Sequence, residues 1–238
     1  MAWTRFHPLT RITIVVSMVL IVALLTGWDR VGNALASVSP RGSFEAQCEA
    51  LPASAVAVML QPFAVVENRE TPYAALGKMM TDAAPTHRTV GVTRAHFGHR
   101  STVDVQGLEH ALAGRACARP RVSVQLFIEP LTVYIASEYA ADPCRLWTIR
   151  EHEQRHVAVF AQFAEEATSR LRLELAGSLG ARPYYGNDIA EMQHNLERRI
   201  GATLGAFMRD AESMLDERQD SIDTPEEYAR VTNACAGV

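Results

Sequence analysis

The sequence predicts an α+β fold in which a small antiparallel sheet packs on a long helix and its antiparallel partner helix. Short β-branched stretches bounded by turn residues occupy the first half of the chain, as is typical of strands. From about residue 145 to 222, apolar residues instead recur at helical spacing, interrupted only by the turn-like stretch 177–187. Two long helices with so short a connection are expected to pack antiparallel.

The N-terminal residues are typical of an export signal. Two arginines precede the apolar run 12–25, and the A-L-A spelling at 34–36 fits a signal-peptidase site. Residues 1–36 are therefore predicted to be a signal peptide cleaved after Ala36. An uncleaved anchor is the alternative, because a spanning helix needs roughly 17 apolar residues. Residues 37–238 are expected to form one secreted or periplasmic domain.

Several short elements are predicted before residue 120. The apolar stretch 55–66, interrupted at Gln61-Pro62, predicts one or two strands. Thr71-Pro72 is a typical helix start and predicts a short helix through about Met80. Further strands are predicted at 89–93 and 101–105.

The four cysteines predict two disulfides in an exported chain. The alternating runs 121–128 and 131–138, joined at Glu129-Pro130, predict an antiparallel hairpin. Because Cys117 and Cys144 are nearly equidistant from its turn, a bridge closing the hairpin would pair them. Cys48 would then pair with Cys235, although sequence alone leaves the other pairings open.

The first long helix, predicted at 145–176, carries the sequence HEQRH at residues 152–156. This matches H-E-x-x-H, in which residues four apart share one helix face, so that His152 and His156 can bind one zinc ion with Glu153 as general base. The apolar series of the helix predicts that the motif faces inward. A buried carboxylate is costly unless it has a partner, which favours a metal site over a chance spelling.

A catalytic zinc site needs a third protein ligand. Glu165 and later glutamates of the same helix are excluded, because Glu165 lies about 13 Å of rise beyond His156. Antiparallel packing of the second helix, predicted at 189–222, brings another set of acids within range: Asp210, Glu212, Asp216, Glu217, Asp220 and Asp223. Asp223 is favoured and Glu227 is its competitor. The stretch 224–227 also fits a capping box at the start of a last short helix, which offers both residues a structural role.

Three stretches resemble the DUF922 family of bacterial secreted, predicted zinc-dependent proteases. They are residues 130–136, Cys144 with 149–157, and 219–223, where a Gln-x-x-x-Asp spacing follows the H-E-Q-x-H helix. The resemblance covers the second half of the chain and implies a zincin-like fold with zinc-dependent proteolysis. The chain lacks the His-Gly that usually follows the downstream aspartate of that family, and has Glu227-Tyr228 there instead.

Together these observations predict an exported zinc metallopeptidase acting on a peptide or protein substrate. Zn²⁺ would be bound by His152, His156 and either Asp223 or Glu227, with Glu153 as general base and then acid. Nucleic acid is not an expected partner, because 23 basic residues nearly balance 27 acidic ones and no basic tract occurs. A membrane would be contacted only through the N-terminal signal or anchor. The alternative is an exported binding or scaffold protein with a structural metal or none.

Overall fold

The computed structural model describes residues 42–79 and 89–236. The chain divides after Gln47 into two units. Of the first unit the structure describes only residues 42–47, which begin the first helix, and the second unit carries all the features discussed below. The predicted signal peptide lies outside the described residues, and the single domain from residue 37 stays a prediction. Within the described ranges, no helix has the length and apolarity needed to span a membrane.

The α+β class is confirmed. In chain order the described elements are α1 (Phe44–Glu49), β1 (Ala55–Leu60), β2 (Val65–Asn68), α2 (Tyr73–Leu76), β3 (Gly91–Arg94), β4 (Phe97–His110), β5 (Arg115–Ile128), β6 (Leu131–Ile135), α3 (Pro143–Leu179), β7 (Tyr184–Gly186), α4 (Ile189–Asp220) and α5 (Pro225–Asn233). The strands predicted in 55–66 are β1 and β2. The helix predicted to reach Met80 ends at Leu76, and Met80 itself lies outside the described residues.

The strands form two mixed sheets, so the prediction of an antiparallel sheet is wrong. In the first sheet β5 pairs in parallel with β1 and antiparallel with β4 and β7. In the second, β6 pairs in parallel with β2 and antiparallel with β3. The predicted hairpin therefore does not form, because the chain passes from one sheet to the other at Glu129-Pro130. Alternation within β5 and β6 identifies them as strands but does not specify their partners.

Because the predicted hairpin does not form, the disulfide pairing based on it is also wrong. The bridges are Cys48–Cys117 and Cys144–Cys235. Cys117 lies within β5, opposite Leu108 of β4, and not at the open end of a hairpin with β6. Cys144 lies in the first turn of α3, close to the C-terminal end of α5. Two disulfides in the described chain agree with an oxidising, exported environment.

Helices α3 and α4 pack antiparallel, as predicted. Arg218 lies 2.7 Å from Glu166, and Arg170 lies 3.1 Å from Asp210, so contacts move down one helix as they move up the other. Asp142 caps the first turn of α3 by accepting a hydrogen bond from the Arg145 backbone. The main core lies between these helices and the sheets and includes the fully buried side chains Leu126, Val133, Leu171, Ile200 and Leu204. This core fixes the position of α3, which carries the motif.

Candidate metal centre

The H-E-x-x-H motif lies on the buried face of α3, as its apolar periodicity predicts. His152, Glu153 and His156 are 7%, 3% and 8% exposed. The His152 and His156 rings are one helical turn apart and direct their Nε2 atoms at each other, 3.3 Å apart. Two facing ring nitrogens at this distance require a proton or a metal ion between them.

Asp223 completes a cluster of three donor atoms. Its Oδ1 lies 3.1 Å from His152 Nε2 and 3.3 Å from His156 Nε2. The residue is in the tight turn between α4 and α5, where Thr224 caps α5 and Pro225 begins it. Helix α4 ends at Asp220, so the turn carries Asp223 back toward α3.

The separations within the cluster fit a tetrahedral metal site. Donors bound to zinc at about 2.0–2.1 Å in tetrahedral directions lie ~3.3–3.4 Å apart. The three separations here are 3.1, 3.3 and 3.3 Å. Among the described residues this is the one group of three or more His, Cys, Asp or Glu side chains that could hold a metal ion. Three protein donors would leave the fourth tetrahedral position open.

The structure separates the two candidates for the third ligand. Asp223 lies in the cluster, whereas Glu227 lies on the opposite side of the His152 ring, with Oε1 3.0 Å from Nδ1. The capping box forms only in part: Thr224 accepts from the Glu227 backbone, but the Glu227 side chain points to His152. The other acids expected within range lie outside the cluster.

Each histidine has an oxygen acceptor on its outer nitrogen. Gln219 Oε1 lies 2.6 Å from His156 Nδ1, and Gln219 also donates to the His156 carbonyl. These acceptors hold the Nδ1–H side of each ring outward. The Nε2 side of each ring therefore faces Asp223. The role of Gln219 was not predicted from the residues, although its spacing to Asp223 is part of the family resemblance.

Glu153 is held against strand β3. Thr93 Oγ1 donates to Glu153 Oε2 at 2.7 Å. The other oxygen, Oε1, lies against Gly91, where a Cβ atom would overlap it. Burial raises the pKa of Glu153, and the Thr93 hydrogen bond and the nearby histidines only partly oppose this effect. A buried carboxyl with a raised pKa is suited to accept a proton and to release it again.

Charges around the cluster favour a bound cation. Burial would raise the pKa of Asp223, but hydrogen bonds from His152 and His156 hold it well below its ordinary value. Burial would lower the pKa of both histidines, and the hydrogen bond with Asp223 is the main cause that raises them instead. Asp223 therefore remains an anion at neutral pH and would balance the charge of a cation bound between the rings.

Tyr228 brings a hydroxyl to the rim of the site. Its side chain is 39% exposed, and its hydroxyl hydrogen bonds to Asp223. Burial, followed by the charges of Asp223 and Glu153, raises the pKa of this hydroxyl, so it remains a proton donor at neutral pH.

Comparison with known proteins adds no identity. No family model, no curated protein and no solved structure matches this chain. The resemblance to the DUF922 family therefore stays a prediction, and the assignment below rests on the geometry of the cluster and of Glu153.

Proposed function

We propose that this protein is a zinc-dependent peptidase. The observation that carries the proposal is a buried carboxyl, Glu153, adjacent in sequence to a three-donor cluster of tetrahedral dimensions. A structural zinc site normally has four protein ligands, whereas three ligands are typical of a catalytic one. A purely structural site would also leave no reason for an additional carboxyl, that of Glu153, to be buried beside the metal, where burial is costly.

His152, His156 and Asp223 would hold the metal ion. Bound there, zinc would lower the pKa of a water molecule toward about 7 and would polarise a carbonyl group. Glu153 would accept a proton from the attacking water and pass it to the leaving amine. Thr93 keeps Oε2 of Glu153 in place, and the Tyr228 hydroxyl, which hydrogen bonds to Asp223, would have to turn from that carboxylate to donate to a carbonyl oxygen at the rim.

Strand β3 is a suitable edge for a peptide substrate. It pairs with β6 on one side and is the last strand of its sheet among the described residues. Gly91 and Thr93, alternate residues of β3, both contact Glu153. A peptide added to this edge would gain backbone hydrogen bonds and pass close to the proposed general base.

The first test is the zinc content of the oxidised protein. We expect about one zinc per chain in the wild type, in line with a single three-donor site, and its loss in His152→Ala and Asp223→Ala. Asp220→Ala is the matched control, because Asp220 is an exposed acid three residues away and outside the cluster. A folded wild type without zinc, or equal loss in Asp220→Ala, would overturn the metal assignment.

The second test separates a peptidase from a scaffold with a structural metal. The zinc-loaded wild type is incubated with a mixed peptide library and the products are identified by mass spectrometry. We expect new peptide termini with the wild type and none with Glu153→Gln, which should still bind zinc. Zinc binding without cleavage of any peptide would favour the scaffold.

A further inference from the structure

Glu227 has no free oxygen with which to bind a metal ion. Its Oε1 contacts His152 Nδ1 at 3.0 Å and Arg230 at 2.7 Å. Its Oε2 contacts Arg230 at 2.8 Å and Arg155 at 3.1 Å. A carboxylate offers about four lone-pair positions, and these four contacts use them all. The side chain is 10% exposed, so water competes little for these positions.

The two histidines of the cluster have different outer partners. His152 donates to the anion Glu227, whereas His156 donates to the neutral amide of Gln219. An anionic acceptor increases the basicity of an imidazole more than an amide does, and thereby strengthens its bond to a metal.

Glu227 also separates the cluster from two positive charges. Arg155 and Arg230 both bind its carboxylate, and both also pair with Glu151. Without Glu227, the guanidinium groups of Arg155 and Arg230 would face His152. Their charge would then be balanced only by Glu151, which pairs with both. Their charge would disfavour a cation on the other side of the ring.

We infer that Glu227 is a positioning residue whose negative charge, acting through His152, sets the affinity of the cluster for a divalent metal ion. It acts without binding the metal itself. This inference rests on the metal assignment proposed above. It differs from a purely structural role, in which the ion pairs of Glu227 would serve only to hold α5 on α3.

The test measures the zinc dissociation constant of the oxidised full chain by competition with a chromophoric chelator. Glu227→Gln keeps an oxygen for His152 and removes the charge, and we expect 10–100-fold weaker binding, the usual effect of losing such an outer partner. Glu226→Gln is the matched control, because it removes an exposed neighbouring charge and should leave the constant unchanged. Arg230→Gln loosens the same ion pairs but leaves Glu227 charged and removes a positive charge, so we expect little or no loss of affinity.

The Co²⁺-loaded proteins provide a spectroscopic check. Glu227→Gln should retain the visible bands of the wild type, because the three donors are unchanged. Equal losses of zinc affinity in Glu227→Gln and Arg230→Gln would show that the ion pairs act only by holding α5, and would overturn the inference. Unchanged affinity in Glu227→Gln, or an altered Co²⁺ spectrum like that of Asp223→Ala, would also overturn it. A wild type that binds no zinc would refute the metal assignment itself, and this inference with it.

Discussion

Gly91 lies against the carboxyl group of Glu153, so close that a Cβ atom at position 91 would overlap Oε1. The same Cβ would lie 2.7 Å from Ile149 Cγ2, on the preceding turn of α3. Strand β3 can therefore approach the motif only where the side chain is absent. This approach brings Thr93 within hydrogen-bond distance of Glu153.

Gly91→Ala should destabilise the protein. Overpacking of a well-packed site typically costs about 1–3 kcal/mol. The matched control is Gly201→Ala, because Gly201 lies exposed on α4 with no atom within 4 Å of an added Cβ. Alanine is the better helix former, so this control should gain up to about 1 kcal/mol. Urea unfolding measures both variants, and equal stability of the two would contradict the close approach.

Thr93→Val should cost more than Thr93→Ser. Valine keeps the shape of threonine but removes the hydroxyl that donates to the buried Glu153 carboxyl group. Leaving a buried acceptor without its hydrogen bond costs about 1–3 kcal/mol, and we expect a loss of that order. Serine keeps the donor and loses only a methyl group. Urea unfolding at pH 7 compares the two, and a valine variant as stable as the serine variant would argue against this bond.

Glu153→Gln should stabilise the metal-free protein at neutral pH but not in acid. Burial raises the pKa of Glu153 above its ordinary value of 4.5. A raised pKa in the folded state contributes stability that is present below pH 4.5 and is lost as the pH rises through the folded pKa. Glutamine does not titrate, so its advantage over the wild type should grow between pH 4 and pH 8. Unfolding in the presence of a chelator at both pH values measures this gap, and a constant gap would contradict the raised pKa.

The parts of the fold that the sequence predicts are those specified by local periodicity. The apolar repeat of α3 and α4 identifies both helices, their antiparallel packing and the inward direction of His152 and His156. Strand partners depend instead on distant contacts. The 121–128 run has the alternation of a strand whether it pairs with β6 or, as observed, with β1 and β4. The disulfide prediction used the wrong partner and was wrong for that reason.

The site residues also differ in whether the local sequence is enough to predict them. The motif spacing is local, so His152, Glu153 and His156 are apparent from the sequence. Asp223 and Glu227 are only four residues apart, so the sequence alone does not choose between them as the third ligand. The turn between α4 and α5 places Asp223 at Nε2 of His152 and Glu227 at Nδ1. Thr93 was not predicted as a site residue, because its role requires knowing that β3 lies on α3.

The disulfide between Cys144 and Cys235 should support metal binding. Helix α5 follows Asp223 and has no buried residue, although Val231 packs half-buried against the main core, so apolar burial contributes only part of what holds it in place. Ion pairs of Glu227 and Arg230 hold it to α3, and the disulfide holds the chain just beyond its end. Freeing that end would allow α5 to move and would displace the turn that carries Asp223.

We therefore expect the double variant Cys144→Ser/Cys235→Ser to bind zinc more weakly than the wild type in the chelator competition. The matched control is Cys48→Ser/Cys117→Ser, which removes the other bridge. Each double variant should lose about 2–5 kcal/mol of stability, because a native disulfide restricts the unfolded chain. Only the first should lose zinc affinity under conditions where both remain folded, because only that bridge anchors the segment after Asp223. Equal affinity in the two variants would mean that the ion pairs of Glu227 and Arg230 hold α5 in place without the covalent link.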